Sequence, residues 1–209
     1  MDVSAPILVS GFEPFGGETV NASWEAVRLL PDEIDGHPVK KLLLPVEFGR
    51  SGDVLEEAIC AERPCIAIAV GQAGGRAHLT VERVAVNLMR ARIPDNAGFQ
   101  PDGAAIVPGG PDAYLATLPV DACVEAARKA GVPAQPSETA GLYVCNQALY
   151  RMLHVMSCNH MHIKVGFIHV PYLPCQVLEK PGKPFCPADI SAAGIVAAIR
   201  ETLCFRVVR

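Results

Sequence analysis

The chain has 209 residues, half of them hydrophobic and 19% charged, which suits one compact domain with a sizeable core. A formal net charge of −4, with no basic stripe interleaved with aromatics, argues against nucleic acid and anionic membranes as partners. No cationic segment followed by an apolar run opens the chain, and no apolar run approaches the ~18–20 residues of a membrane span. The eight scattered cysteines therefore read as reduced thiols of a cytoplasmic protein.

Pro6 to Ser10 is a short apolar run stopped by Gly11, the pattern of a strand buried on both faces. It feeds the loop Gly11-Phe-Glu-Pro-Phe-Gly-Gly17, followed by a helix from about Ala22. Asn21 or Ser23 is a candidate cap, and Trp24, Val27 and Leu30 form the apolar face. The loop lacks both the Walker Gly-Lys-Ser/Thr ending and the dinucleotide glycine spacing, so motif grounds for nucleotide binding are weak. Phe12 and Phe15 have no periodic core face to join there, and a pocket wall is the functional reading.

Val39 to Val46 reads as a second strand, and Asp53 to Cys60 as a helix with Val54, Leu55 and Ile59 inward. Cys65 to Val70 is another buried strand running into a Gly-rich turn, Gly71 to Arg76. Two such strand-loop units are what the active edge of an open α/β sheet produces. Leu79 to Leu88 alternates, and its phase places Thr80, Glu82, Val84, Val86 and Leu88 on one face. A carboxylate on that apolar side must be paired, hydrogen-bonded or protonated, and a structural ion pair with an arginine is the bland alternative to catalysis. Ala91 to Pro111 reads as a long loop with a short hairpin, the kind of loop that often carries function. Val120 to Ala130 is a helix closed by Gly131 and Pro133.

From Ser137 the chain is small and turn-prone, then helical from close to Cys145, with Cys145, Leu149, Met152, Leu153 and Met156 on one face. A thiol in the first turn faces unpaired N–H groups and the positive end of the helix dipole, which favour a thiolate and could hold an oxyanion. The competing reading is a buried cysteine acting as a small hydrophobe. Cys158, His160 and His162 lack a partner pair at zinc spacing, and a polar connector is expected. Lys164 to Val170 is a strand with Val165, Phe167 and His169 on one face, so His169 lies at the active edge unless it is simply a satisfied core histidine. Pro171 to Pro187 is irregular, and a final helix opens at Ala188 or Asp189.

A thiol at a helix start, a histidine at a strand end and a carboxylate on an apolar face are the parts of a Cys-His-acid triad. The stretches Gly11–Gly17 with Asn21, Val81–Leu88, Arg92–Asn96, Ala140–Asn146 and Gly166–Pro174 occur in family order over nearly the whole length. In these the chain resembles the pyroglutamyl-peptidase I family of cysteine peptidases. The resemblance implies a single catalytic domain over residues 1–209, a three-layer α/β/α sandwich with a mixed, mostly parallel central sheet. It implies Cys145 as nucleophile, His169 as general base and then acid, and Glu82 as the orienting carboxylate. No cofactor or metal is expected, and the substrate is a peptide or amide with an N-terminal pyroglutamyl residue.

By the same resemblance Phe12, Phe15, Ile93, Tyr143 and Val144 line the substrate pocket. Asn21 and Gln72 meet the lactam edge, Arg92 assists the oxyanion, and a homotetramer is frequent. Tyr143 stands where the family often has phenylalanine, which leaves its hydroxyl either turned outward to a partner or altering the pocket. Cys175 replaces a common glutamate, with no catalytic meaning attached. The rival readings are an α/β binding module whose glycine loops hold a small anion or nucleotide, and a cysteine amidohydrolase acting on free small amides.

Overall fold

The computed structural model describes residues 5–205. The first apolar run forms β1 (Ile7–Phe12), buried along its whole length, and leads through the glycine loop to α1 (Ala22–Arg28). Asn21 caps α1 by accepting from the Ser23 backbone N–H, which satisfies one orphan donor of the first turn. A short strand, β2 (Glu33–Ile34), turns back into β3 (His37–Leu44), which begins two residues earlier than the hydrophobic pattern indicates. The next pair is α2 (Arg50–Glu62) and β4 (Ile66–Gln72). Val54, at the edge of the α2 face, is only partly buried, while Leu55 and Ile59 are buried fully.

The expected strand over Leu79 to Leu88 is interrupted. It splits into β5 (Leu79–Glu82), β6 (Val84–Val86) and, after Leu88, β7 (Met89–Arg90). The inward phase shifts at the break: Ala85 is fully buried, while Val84 and Val86 are half-exposed. Glu82 therefore does not share an apolar face with Val84 and Val86. It lies with Thr80 on the side of the sheet opposite Leu79 and Val81. β8 (Asp102–Ala104), inside the long loop, pairs antiparallel with β7 just before it, so the short hairpin takes its first strand from outside the expected loop, and β9 (Ala113–Leu115) pairs with β6. Following α3 (Val120–Lys129), the chain adds β10 (Ala134–Ser137), a strand the sequence does not announce because Gln135 and Pro136 are exposed at the sheet edge. The last elements are α4 (Val144–Cys158), β11 (Lys164–Val170), a 3-10 turn at Pro174–Val177 and α5 (Ala188–Cys204).

The main sheet has the order β10-β5-β11-β4-β1-β3-β2. Its centre, β11, β4, β1 and β3, is parallel, whereas β5 meets β11 antiparallel and β2 meets β3 antiparallel. One face packs on α1, α3 and α5 through Ile7, Val9, Ile66, Ile68, Ile168, Val124, Ile195 and Ile199. The other packs on α2 and α4 through Leu8, Ala67, Ala69, Phe167, Leu55, Leu149 and Leu153. Both faces are covered, which is why the central strands read as continuous apolar runs. The result is an α/β fold of three layers.

Candidate active site

α4 supplies the thiol. Its first residue is Val144, so Cys145 sits in the first turn, and the N–H groups of Val144 and Cys145 have no backbone acceptor among the described residues. The helix start is held by Asn146, whose side chain imitates a strand. Its Nδ2 donates to Val86 O and Leu88 O at 2.9 and 3.0 Å, and its Oδ1 accepts from Val86 N at 3.0 Å. At the next position Gln147 accepts from Ser51 Oγ at 2.9 Å, tying α4 to α2.

β4 and β11 place the sulfur beside the histidine. Gly71 and His169 are parallel register neighbours, so both project to the α4 face. A Cβ at Gly71 would lie 3.0 Å from Cys145 Sγ and under 3 Å from the Phe167 ring. The sulfur thus fills the space that a side chain next to His169 would need. Phe167 packs against the imidazole with ring centroids 4.7 Å apart.

His169 Nδ1 lies 2.7 Å from Glu82 Oε1, and both residues are buried. The carboxylate accepts, so Nδ1 carries the proton and Nε2 keeps its lone pair. Sequence reasoning did not single out Arg76 as a partner. Its Nη1 donates to the same Glu82 oxygen at 2.6 Å and to Thr80 Oγ1 at 2.5 Å, while Nη2 donates to Thr139 O at 3.2 Å. The two readings of Glu82, ion pair with an arginine and partner of a histidine, are both realised on one atom. Glu82 Oε2 is buried without a hydrogen-bond partner among the described residues.

These contacts set the charges. Burial raises the Glu82 carboxyl, but the His169 hydrogen bond and charge and the Arg76 guanidinium outweigh it and hold the group below its ordinary range. Burial lowers His169 more than Glu82 raises it, and Arg76 adds to the lowering, so the ring is neutral. Burial pushes the Cys145 thiol up to about 12, and the Glu82 charge adds to the rise. Arg76 and the residue's own N–H oppose it. The thiolate expected from the helix start is therefore corrected: desolvation beside a carboxylate outranks one turn of helix dipole.

Next to the sulfur is a small cavity of about 20 Å³, partly open to solvent, lined by Phe12, Phe15, Asn21, Val46, Gln72, Tyr143, Val144 and Cys145. Its walls are apolar and its polar edge comes from two amides. Asn21 Oδ1 is taken by Ser23 N and Ser23 Oγ, and its Nδ2 gives one N–H to Glu13 O at 2.8 Å, leaving the other N–H uncommitted. Gln72 Oε1 accepts from Ala22 N, so its Nε2 is the free end. The Tyr143 hydroxyl turns away from the cavity and donates to Pro94 O at 3.1 Å. Arg92 and Ile93 line a neighbouring cleft that shares Phe15 and Tyr143 with the cavity. Buried Asp95 shapes this region by accepting from Phe48, Ala97 and Phe99 backbone N–H groups, and Asn96 donates to Pro14 O.

A family model described as pyroglutamyl peptidase matches residues 5–204. The chain belongs to the pyroglutamyl peptidase family. It is 50% identical over 198 residues to pyrrolidone-carboxylate peptidase 1 of Ralstonia nicotianae, covering 94% of this chain and 92% of that protein. It is 52% identical over 175 residues to pyrrolidone-carboxylate peptidase of Thermococcus onnurineus, covering 84% and 88%. The crystal structure of pyroglutamyl peptidase I from Bacillus amyloliquefaciens matches with a TM-score of 0.92 at 45% identity, covering 97% of this chain and 96% of that one.

Membership of the pyroglutamyl peptidase family makes this chain a hydrolase of the cysteine-peptidase type. No helix among the described residues is long and apolar enough to cross a membrane. Among the described residues no group of three or more His, Cys, Asp or Glu is placed to hold a metal ion. Cys158 instead lies 3.5 Å from His154 Nε2 on its own helix.

Proposed function

We propose that this chain is an exopeptidase that hydrolyses the N-terminal pyroglutamyl residue from peptides through Cys145, His169 and Glu82. The observation that carries the reading is the 2.7 Å His169–Glu82 contact, with His169 paired in register with the glycine beneath Cys145 Sγ. At rest the pair is thiol and neutral imidazole. As the sulfur attacks the pyroglutamyl carbonyl, His169 Nε2 takes its proton, and Glu82 steadies the imidazolium. The N–H groups of Val144 and Cys145 receive the oxyanion, while Arg92, expected to assist, lies exposed in the neighbouring cleft. Collapse breaks the C–N bond, and the amine leaves with the proton from His169. Water, deprotonated by His169, then cleaves the thioester and frees pyroglutamate and the thiol.

Phe12, Phe15, Tyr143 and Val144 supply flat apolar walls for the lactam, Ile93 lies beyond them in the neighbouring cleft, and Asn21 and Gln72 offer donors to its carbonyl. The chain acts as one catalytic domain over residues 1–209, without a cofactor or metal. The eight unpaired thiols suit a cytoplasmic location, and the family resemblance suits a homotetramer. Release of a chromogenic amine from a pyroglutamyl amide, lost in Cys145→Ser, is the expected result. Turnover of free small amides in its place would turn the reading to an amidohydrolase.

A further inference from the structure

We propose that Arg76 is a positioning residue of this site: by sharing one Glu82 oxygen with His169, it aims the carboxylate at the ring and offsets its charge. Arg76 lies in the turn after β4, and its side chain is 30% exposed, while Glu82 is fully buried. Through one guanidinium it joins Glu82 and Thr80 of β5, Ser137 of β10 and the carbonyl of Thr139 on the way to α4. Glu82 Oε2 has no partner among the described residues, so the direction of the carboxylate is decided by what binds Oε1. Three donors do: Arg76 Nη1, His169 Nδ1 and, at 3.3 Å, Thr80 Oγ1. Without the guanidinium the carboxylate can rotate about its own bond and bring Oε2 to the ring.

The electrostatic consequence follows from the same geometry. The titratable and charged groups facing His169 are Glu82 from β5, Cys145 from α4 and Arg76 from the turn after β4. An isolated buried carboxylate would pull a proton onto the imidazole and leave no base for the thiol. Arg76 opposes that pull on His169 and also lowers the thiol, so the one cation works on both partners of the proton transfer. A Glu82 charge half-answered by Arg76 is still available when the imidazolium forms, which is the moment it is needed.

The inference rests on the peptidase reading for its kinetic arm alone. In Arg76→Gln the acid limb of kcat/KM against pH moves up by about one unit, as expected for losing a cation a few ångströms away, and kcat falls. Arg76→Lys returns the limb close to that of the parent, because it restores charge without the fork, and recovers kcat only in part. NMR titration of the His169 ring gives a neutral imidazole at pH 7 in the parent chain and a higher midpoint in Arg76→Gln. That titration needs no turnover, so it decides the matter even if pyroglutamyl amides prove inert, and its parent arm stands if the glutamine variant does not fold. An imidazolium at pH 7 in the parent chain overturns the proposal. So does an Arg76→Gln profile that superimposes on the parent's per folded molecule, or a lysine variant displaced as far as the glutamine one.

Discussion

Gln176 Nε2 donates to Gln72 Oε1 at 2.9 Å across 104 positions of sequence. Ala22 N donates to the same oxygen at 2.9 Å, so two donors fix which end of the Gln72 amide is free. Gln176 is itself held, through Leu173 N on its oxygen and Val20 O on its amide. The proline-rich segment after β11 thus orients a group in the cavity beside Cys145.

Gln72→Glu keeps the acceptor for Ala22 and Gln176 but puts an oxygen where the free Nε2 stands. Facing a lactam carbonyl, that oxygen repels where the amide would donate. Sites that hydrogen-bond a substrate group reject mismatches by ~10⁴, and we expect kcat/KM for a pyroglutamyl amide to fall ~10²-fold or more. Steady-state kinetics on matched pyroglutamyl and prolyl amides check this. Parent-like values would remove Gln72 from lactam recognition.

Glu82→Gln should fold. The amide oxygen can take the Oε1 place against His169 and Arg76, and the amide nitrogen can take the Oε2 place, where no donor among the described residues opposes it. The Nδ1–H tautomer is kept, but the imidazolium loses its counter-charge. A fall in kcat of about 10²–10⁴-fold with a near-parent melting curve is expected. Loss of the fold with normal turnover by the native fraction would make the carboxylate structural.

Alkylation of Cys145 should track a thiol raised to about 12, above its ordinary value. Because the raised group stays protonated through neutral pH, its rate with iodoacetamide keeps climbing past pH 9 and shows no plateau near 7. Mass spectrometry of the labelled Cys145 peptide separates this from exposed Cys60, Cys158, Cys175 and Cys204. A plateau at neutral pH would mean a preformed thiolate.

Asn146→Ala strands the backbone groups of Val86 and Leu88 that the amide now satisfies. We expect a loss of about 2–4 kcal/mol, read from denaturant unfolding, since unanswered buried polar groups cost about 1–3 kcal/mol each. Activity should fall as well, because Cys145 is the adjacent residue on a helix start that is no longer pinned.

Periodic elements are legible in the sequence itself. α4 shows its buried face at Leu149, Met152 and Leu153, and β1, β4 and β11 show theirs as unbroken apolar runs. β10 was hidden because an edge strand with exposed Gln135 and Pro136 has no apolar alternation to detect. The break at Arg83 was hidden by valines that keep alternating after the chain has left the main sheet, with Arg83 paired outward to Asp121 and Glu138. Positions of Cys145, His169 and Glu82 were legible as types in context. Arg76 and Gln176 were not: a cation in a glycine turn and an amide in a proline-rich segment carry no period, and only the fold brings them to Glu82 and Gln72.

The ladder of β11 with β4 runs for seven register pairs, but with β5 it has two, Ile168–Val81 and His169–Thr80. Glu82 lies across that short seam from His169, whereas the thiol and the imidazole both belong to the long side. Loosening the β5–β10 margin separates carboxylate from ring while the parallel centre of the sheet stays packed, since local opening costs less than global unfolding. Loss of activity and loss of structure are then different events in this molecule. In mild denaturant, turnover should decline before the fluorescence of Trp24, the single tryptophan, which sits on α1 against the opposite face of the sheet. The enzyme would fail first along its seam, by losing a partner and not its shape.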